Sequence, residues 1–256
     1  MIEARPERVE RSAPYEPDNL LDAFSRYSTL DFQYRHAMRR EEQVMAHRLR
    51  IRSGDVLSVG CGWHPGRHLF PAPAFRIVAV DADPERVAGV AAGGAADEAH
   101  VGHAGRLPYA DATFDVVLYR LVMHHLAYQG PLEPYFAESA RLLRPGGALV
   151  AIEPGLWHPV GLGLALANRT GAATAIHGTP DDIPLSPRRL TALATNADLS
   201  PELHAITYTW RRMPGPVQRA LQPVDELGSR PRAAPFGHTL LLIARKSATG
   251  AMVRTR

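Results

Sequence analysis

The chain has 256 residues, 45% hydrophobic and 21% charged, a length and mixture suited to one sizeable buried core and unlike disordered or collagen-like chains. Its formal net charge is +3, matched by Lys246, Arg254 and Arg256 alone, so the remainder is balanced and nucleic acid is not an expected partner. The single cysteine, Cys61, permits no internal disulfide, no stretch reaches the ~20 apolar residues of a membrane span, and Met1–Glu10 has no apolar signal core, so a cytoplasmic location is expected.

Residues 1–18 hold Pro6, Pro14 and Pro17 among alternating charges and are expected to form a flexible arm. Over 19–49, Leu21, Phe24, Tyr27, Val44, Met45 and Leu49 return at helical spacing and predict two helices. Ser53-Gly54 then punctuates, and Val56–Val59 predicts a buried strand ending in Gly60-Cys61-Gly62. Phe75–Val80 predicts the next strand. Asp83 follows as N-cap, with Pro84 at the first position of a helix running through Val90. Phe114–Tyr119 is a further apolar run, and Leu132, Tyr135, Phe136, Ala140 and Leu143 predict a helix stopping at Pro145-Gly146-Gly147. Ala148–Ile152 resumes a strand.

Strands alternating with helices imply a mostly parallel sheet covered on both faces by right-handed crossovers. The fold class expected is therefore α/β, a Rossmann-like doubly wound core over residues 50–155. Residues 156–237 are expected to add a substrate cap and a late strand: Trp157–Ala167 suits a lid, Ser186-Pro187 caps a helix through Ala194, and Ile206–Trp210 is strand-like. Residues 238–256 supply a closing strand, His238–Ala244, and a basic tail.

In open parallel sheets, ligands bind beyond the carboxyl ends of the strands, where helix N-termini aim N–H groups into a crevice. Gly60-Cys61-Gly62, Asp81, His103-Ala104 and Tyr119-Arg120 fall at such ends. A dinucleotide needs a third glycine where this chain has Pro65, which disfavours a nicotinamide oxidoreductase. A nucleoside without pyrophosphate needs only close backbone approach at the first two glycines and an acid for the ribose hydroxyls. Asp81 follows Gly62 by 19 residues at the end of the next strand and, unlike the capping Asp83, has no expected structural duty.

Cys61, between two glycines, is expected to offer its backbone while its thiol packs. Asp115, at a strand start, suits a turn or edge hydrogen bond. The His124-His125 pair lies just past the end of its strand, where an imidazole can take a proton at neutral pH, and His125 is the candidate catalytic base; the alternative is a buried, hydrogen-bonded histidine. His158, His177 and Asp181 are too scattered for a ligand set, and no metal is expected.

Five segments stand in order: VLSVGCG at Val56–Gly62, VAVDADP at Val78–Pro84, LPYADATFDVV at Leu107–Val117, RLVMHHL at Arg120–Leu126 and LLRPGG at Leu142–Gly147. With them, residues 45–155 resemble the class I S-adenosylmethionine-dependent methyltransferases, especially the broad small-molecule group that resembles the ubiquinone and menaquinone biosynthesis methyltransferases. The resemblance implies S-adenosyl-L-methionine as cofactor and in-line transfer of its methyl group to a small-molecule acceptor. It places Gly60, Cys61 and Gly62 beneath the methionine and ribose parts, Asp81 with Ala82 at the ribose, and His103 with Ala104 at the adenine. Tyr119 and Arg120, at the end of their strand, are further candidate cofactor-binding residues.

Two positions depart from the family: Ser58 replaces the usual first-strand acid, and His103 the usual adenine-binding Asp. They leave a second reading, a methyltransferase-like binding protein with an altered or vestigial cofactor site. Leu118-Tyr119-Arg120 stands where base-modifying amino methyltransferases have Asn or Asp, Pro-Pro and an aromatic, which argues against nucleobase amines.

Overall fold

The computed structural model of the chain describes residues 27–170, 183–210, 215–227 and 232–248; the expected arm over 1–18, His177 and Asp181 lie outside them. Helix α1 spans Tyr27–Arg48; the rest of the stretch expected to hold two helices, 19–26, lies outside the described residues. Strand β1 (Gly54–Val59) carries Val56 to one face of the sheet and Leu57 and Val59 to the other, as a period of two requires. Strand β2 (Phe75–Asp81) leads into helix α2 (Pro84–Ala92), whose N-cap Asp83 accepts from the Glu85 N–H and whose Pro84 has no N–H to leave orphaned.

Strand β3 (Glu98–Val101), strand β4 (Phe114–Arg120), helix α3 (Met123–Gln129), helix α4 (Glu133–Leu142) and strand β5 (Leu143–Pro154) complete the alternating core. Helix α5 (Pro159–Arg169) occupies the segment expected to be a lid. Helix α6 (Pro187–Asn196), strand β6 (Leu199–Thr207), helix α7 (Gly215–Leu227) and strand β7 (Thr239–Lys246) follow. No helix among the described residues is long and apolar enough to cross a membrane.

The strands form one sheet in the order β3-β2-β1-β4-β5-β7-β6. Pairing is parallel from β3 through β5, while β7 runs antiparallel to both β5 and β6. The chain leaves β1 toward β2 and β3, then returns to β4 on the other side of β1, so the strand order reverses between β1 and β4. That reversal opens a crevice beyond Val59 and Tyr119, which lie side by side in register.

One face of the sheet packs Leu57, Val117, Leu149 and Leu242 under Met123, Phe136 and Leu190 of the covering helices. The other packs Val56, Leu118, Val150 and Ile243 under Met45 of α1, Leu49 just after it, and Phe70. These side chains are essentially inaccessible, and truncating one such leucine to alanine costs about 2–5 kcal/mol.

Three boundaries differ from the periodicity. Strand β3 has the sequence EAHV and is largely exposed at the sheet edge, so it has no apolar run to announce it. Helix α4 ends at Leu142, and Leu143 already pairs with Phe114, so Pro145-Gly146-Gly147 falls inside the irregular start of β5. Strand β6 starts at Leu199, earlier than Ile206, because its backbone ladder to β7 runs through Glu202 and His204 and needs no apolar side chain there.

Candidate active site

Gly60 and Gly62 adopt left-handed backbone, φ +61° and +53°, a region costing other L-residues about 1–2 kcal/mol. Their surroundings differ. A Cβ on Gly60 would meet Val122 Cγ2 at 2.4 Å, whereas one on Gly62 would have nothing within 4 Å. The turn is therefore packed against the start of α3 at Gly60 and open at Gly62.

Asp81 fixes this turn. Its Oδ2 accepts from the Gly62 N–H at 2.8 Å, and its Oδ1 accepts from the Asp83 N–H at 3.0 Å. Asp81 thus has a structural duty that the sequence did not suggest, because the two donors are backbone groups 19 and two residues away. A carboxylate has about four acceptor positions, so two remain after these bonds.

Beyond β3, the Gly102 N–H donates to the Asp81 carbonyl at 2.9 Å, which draws His103 and Ala104 alongside Asp81. His103 is exposed, and Ala104 packs on the core. Tyr119 offers the crevice only its main chain. Its side chain is buried in the opposite direction, its hydroxyl accepts from Ser139 Oγ at 3.2 Å, and burial raises its pKa.

Arg120 points back under α1. Its Nε and Nη2 meet Glu41 Oε2 and Oε1 at 2.9 and 3.3 Å, and His68 Nε2 lies 3.1 Å from Glu41 Oε2. Burial alone would raise the Glu41 pKa; Arg120 and His68 outweigh it and hold the carboxyl at about 2. His64 is pulled down to about 4, first by burial and then by Arg120 and His68.

At the N-terminus of α3 the carboxylate of Glu153, fully buried at the end of β5, accepts from the backbone N–H groups of Val122 (3.0 Å), Met123 (2.8 Å) and His124 (3.3 Å). These are the orphan donors of a helix start, and the helix dipole favours an anion there. The same carboxylate lies 2.6 Å from His124 Nδ1. His125, partly exposed, stacks its ring against that of His124 with centroids 4.0 Å apart.

The remaining candidates are structural in place. Cys61 is buried, its Sγ donates to the Gly62 carbonyl at 3.5 Å, and its thiol is pushed up to about 12, first by burial and then by the Asp81 charge. Asp115 accepts from the Asp55 N–H and pairs with Arg144 at the base of the sheet. His158 accepts from the Val160 N–H and its Nε2 bonds the Tyr208 carbonyl, so it caps α5. Glu41, His68 and Glu153 had not been singled out. Glu41 shares the stripe of Met45 and Leu49 at four-residue steps, and Glu153 ends an otherwise apolar strand; an acid in either place is the signal that was available.

Residues 57–151 match the methyltransferase-domain family. A protein of Mycolicibacterium smegmatis named "Probable S-adenosylmethionine-dependent methyltransferase" is 37% identical over 112 residues, 44% of this chain and 42% of that protein, so the match spans less than half of either. Among solved structures, a Thermotoga maritima protein titled "SAM-dependent methyltransferase, possible histamine N-methyltransferase" is similar over 86% of this chain and 94% of its own, at 16% identity and a TM-score of 0.60. A chain in a structure titled "Complex between the Haloferax volcanii Trm112 methyltransferase activator and the putative methyltransferase" is similar over 90% of this chain and 98% of its own, at 19% identity and a TM-score of 0.59.

Residues 57–151 thus match a methyltransferase domain, and the fold around them matches that of the solved structures. S-adenosylmethionine is the cofactor that such domains use, and two features of this structure fit it: the open space above Gly62 and the acceptor capacity left on Asp81.

Proposed function

We propose that the chain transfers a methyl group from S-adenosylmethionine to a small organic acceptor. The observation that carries this reading is the bond between the Gly62 N–H and Asp81, which joins the open glycine turn to an acid with acceptor capacity to spare. Bound S-adenosylmethionine supplies a methyl carbon that is already electrophilic on its sulfonium. The protein's part is then placement and exclusion of water, and alignment alone can supply several kcal/mol of the barrier.

Gly60, Cys61 and Gly62 bring main chain close to the ligand, and Asp81 beside Ala82 takes the ribose hydroxyls. The Ala104 N–H donates to the adenine ring while His103 accepts from its amine. Residues 156–237 cap the acceptor. Arg120 and Tyr119 shape the crevice from below: Glu41 neutralises the guanidinium, and the tyrosine ring is withdrawn into the core.

Calorimetry with S-adenosylmethionine and S-adenosylhomocysteine tests the reading. Wild type should bind both in roughly the micromolar range, equivalent to about −8 kcal/mol. Asp81→Asn keeps an acceptor for the turn but loses the charge and should bind at least several-fold more weakly. Absence of binding by folded wild type would refute the reading. Ser58, buried in β1 where the resemblance expects an acid, favours a second reading, a methyltransferase-like binding protein with an altered or vestigial cofactor site. That reading predicts no binding of S-adenosylmethionine or S-adenosylhomocysteine by the folded protein.

A further inference from the structure

We infer that Glu138 and Arg141, three residues apart on α4, are positioning residues for the base of the cofactor: together they fix the loop that carries His103 and Ala104. The inference rests on the methyltransferase reading. Glu138 Oε1 accepts from the Leu107 N–H at 2.8 Å, and Arg141 Nη2 donates to the Leu107 carbonyl at 3.3 Å, so both polar groups of one residue's main chain are held. The two side chains also grip each other, Arg141 Nε on Glu138 Oε2 at 2.8 Å and Nη2 on Oε1 at 2.7 Å, the fork geometry that suits arginine to a carboxylate. Arg141 Nη1 continues to the Tyr109 carbonyl at 2.9 Å and to Asp111 Oδ1 at 2.7 Å. The bond to Arg141 holds the Glu138 carboxyl below the usual carboxylate range, so it stays an acceptor at neutral pH.

Helix α4 therefore tracks the loop. Tyr135, Glu138 and Arg141 neighbour one another at three-residue steps on its surface. They meet Gly105, Leu107 and Tyr109 in turn; a Cβ on Gly105 would stand 3.7 Å from Tyr135 Cε1. Leu107 is buried between exposed Arg106 and Pro108. At the other end of the loop, the Gly102 N–H is held by the Asp81 carbonyl. Residues 103–106 thus lie between two fixed points, and the pair assigned to adenine is among them.

Adenine presents an amine and, beside it, a bare ring nitrogen. An accepting His103 and a donating Ala104 N–H match that order. Hypoxanthine reverses both groups: a carbonyl would face the acceptor, and a ring N–H would face the donor. A loop fixed in place turns this mismatch into selectivity, because neither group can swing aside to escape it.

The test is calorimetry of the full chain with S-adenosylhomocysteine and with S-inosylhomocysteine, which differs from it in the base alone. Wild type should prefer the adenine ligand at least about tenfold. Glu138→Ala releases both the Leu107 N–H and Arg141. It should narrow the preference to about twofold or less by weakening the adenine ligand alone, since the proposed ribose contact at Asp81 is untouched. Glu138→Gln keeps an acceptor for the Leu107 N–H but loses the charge facing Arg141, and its preference should fall between those two; it decides if Glu138→Ala does not fold. A merely structural part would weaken both ligands alike, so an equal loss for the two, or an unchanged preference, overturns the inference. Equal binding of the two ligands by wild type overturns it as well, while leaving the parent reading intact. If folded wild type binds neither, the methyltransferase reading fails and this inference fails with it.

Discussion

Glu41 and Arg120, 79 residues apart, meet as a two-pronged ion pair of 2.9 and 3.3 Å between α1 and the carboxyl end of β4. The pair ties an element that precedes the sheet to the strand bordering the crevice, with little water to screen it.

Removing one partner of a buried pair leaves the other charge poorly compensated, at a cost of about 3–5 kcal/mol. Glu41→Gln should therefore lower the unfolding free energy by roughly that amount, measured by urea titration. Glu41→Gln with Arg120→Met should lose less than the two single changes added together; full additivity would show that the pair is not coupled.

Acid should destabilise the protein in two stages. His64 is held near 4 against an ordinary 6.5. The unfolded chain therefore binds a proton there that the fold does not, and stability falls as pH drops from about 6.5 to 4. Glu41, held near 2 against an ordinary 4.5, adds a loss as pH drops from about 4.5 to 2. His64→Gln should flatten the first stage by about 2 kcal/mol, allowing for partial solvent screening. Unfolding curves at stepped pH would show it, and an unchanged slope above pH 4.5 would remove His64 from the account.

The two turn glycines should separate stability from binding. Gly60→Ala adds a clash with Val122 to left-handed strain and should cost more than about 2 kcal/mol in thermal or urea unfolding. Gly62→Ala carries only the strain, about 1–2 kcal/mol, but places a methyl in the space assigned to the cofactor. Its main effect should appear in S-adenosylhomocysteine affinity, measured by calorimetry.

Cys61 should be inert. With its thiol pushed up to about 12, almost no thiolate exists at neutral pH, so iodoacetamide should label the native protein far more slowly than the urea-unfolded chain. Equal rates followed by mass spectrometry would show that the turn opens readily.

The central strands and Asp83 were legible because each depends on local pattern: an apolar run between breakers, or Asp before Pro. Strand β3 was not, since an exposed edge held by parallel pairing to Val78–Asp81 needs no apolar residues of its own. The glycine turn and Asp81 could be located from spacing, but the double duty of Asp81 could not, because both of its donors are backbone groups. Glu41 gains meaning only from partners 27 and 79 residues away, and Glu153 from partners 29–31 residues away. A helix wheel marks an acid beside Met45 as an oddity without saying which cation answers it.

Tyr119 turns its ring away from the crevice, and Gly60, Gly62, Ala82 and Ala104 have little or no side chain to present. In the proposed site, a donor molecule is consequently gripped mostly by peptide groups, whose chemistry survives almost any replacement that preserves the path of the chain. Such a grip depends on the curvature of the chain more than on the letters along it.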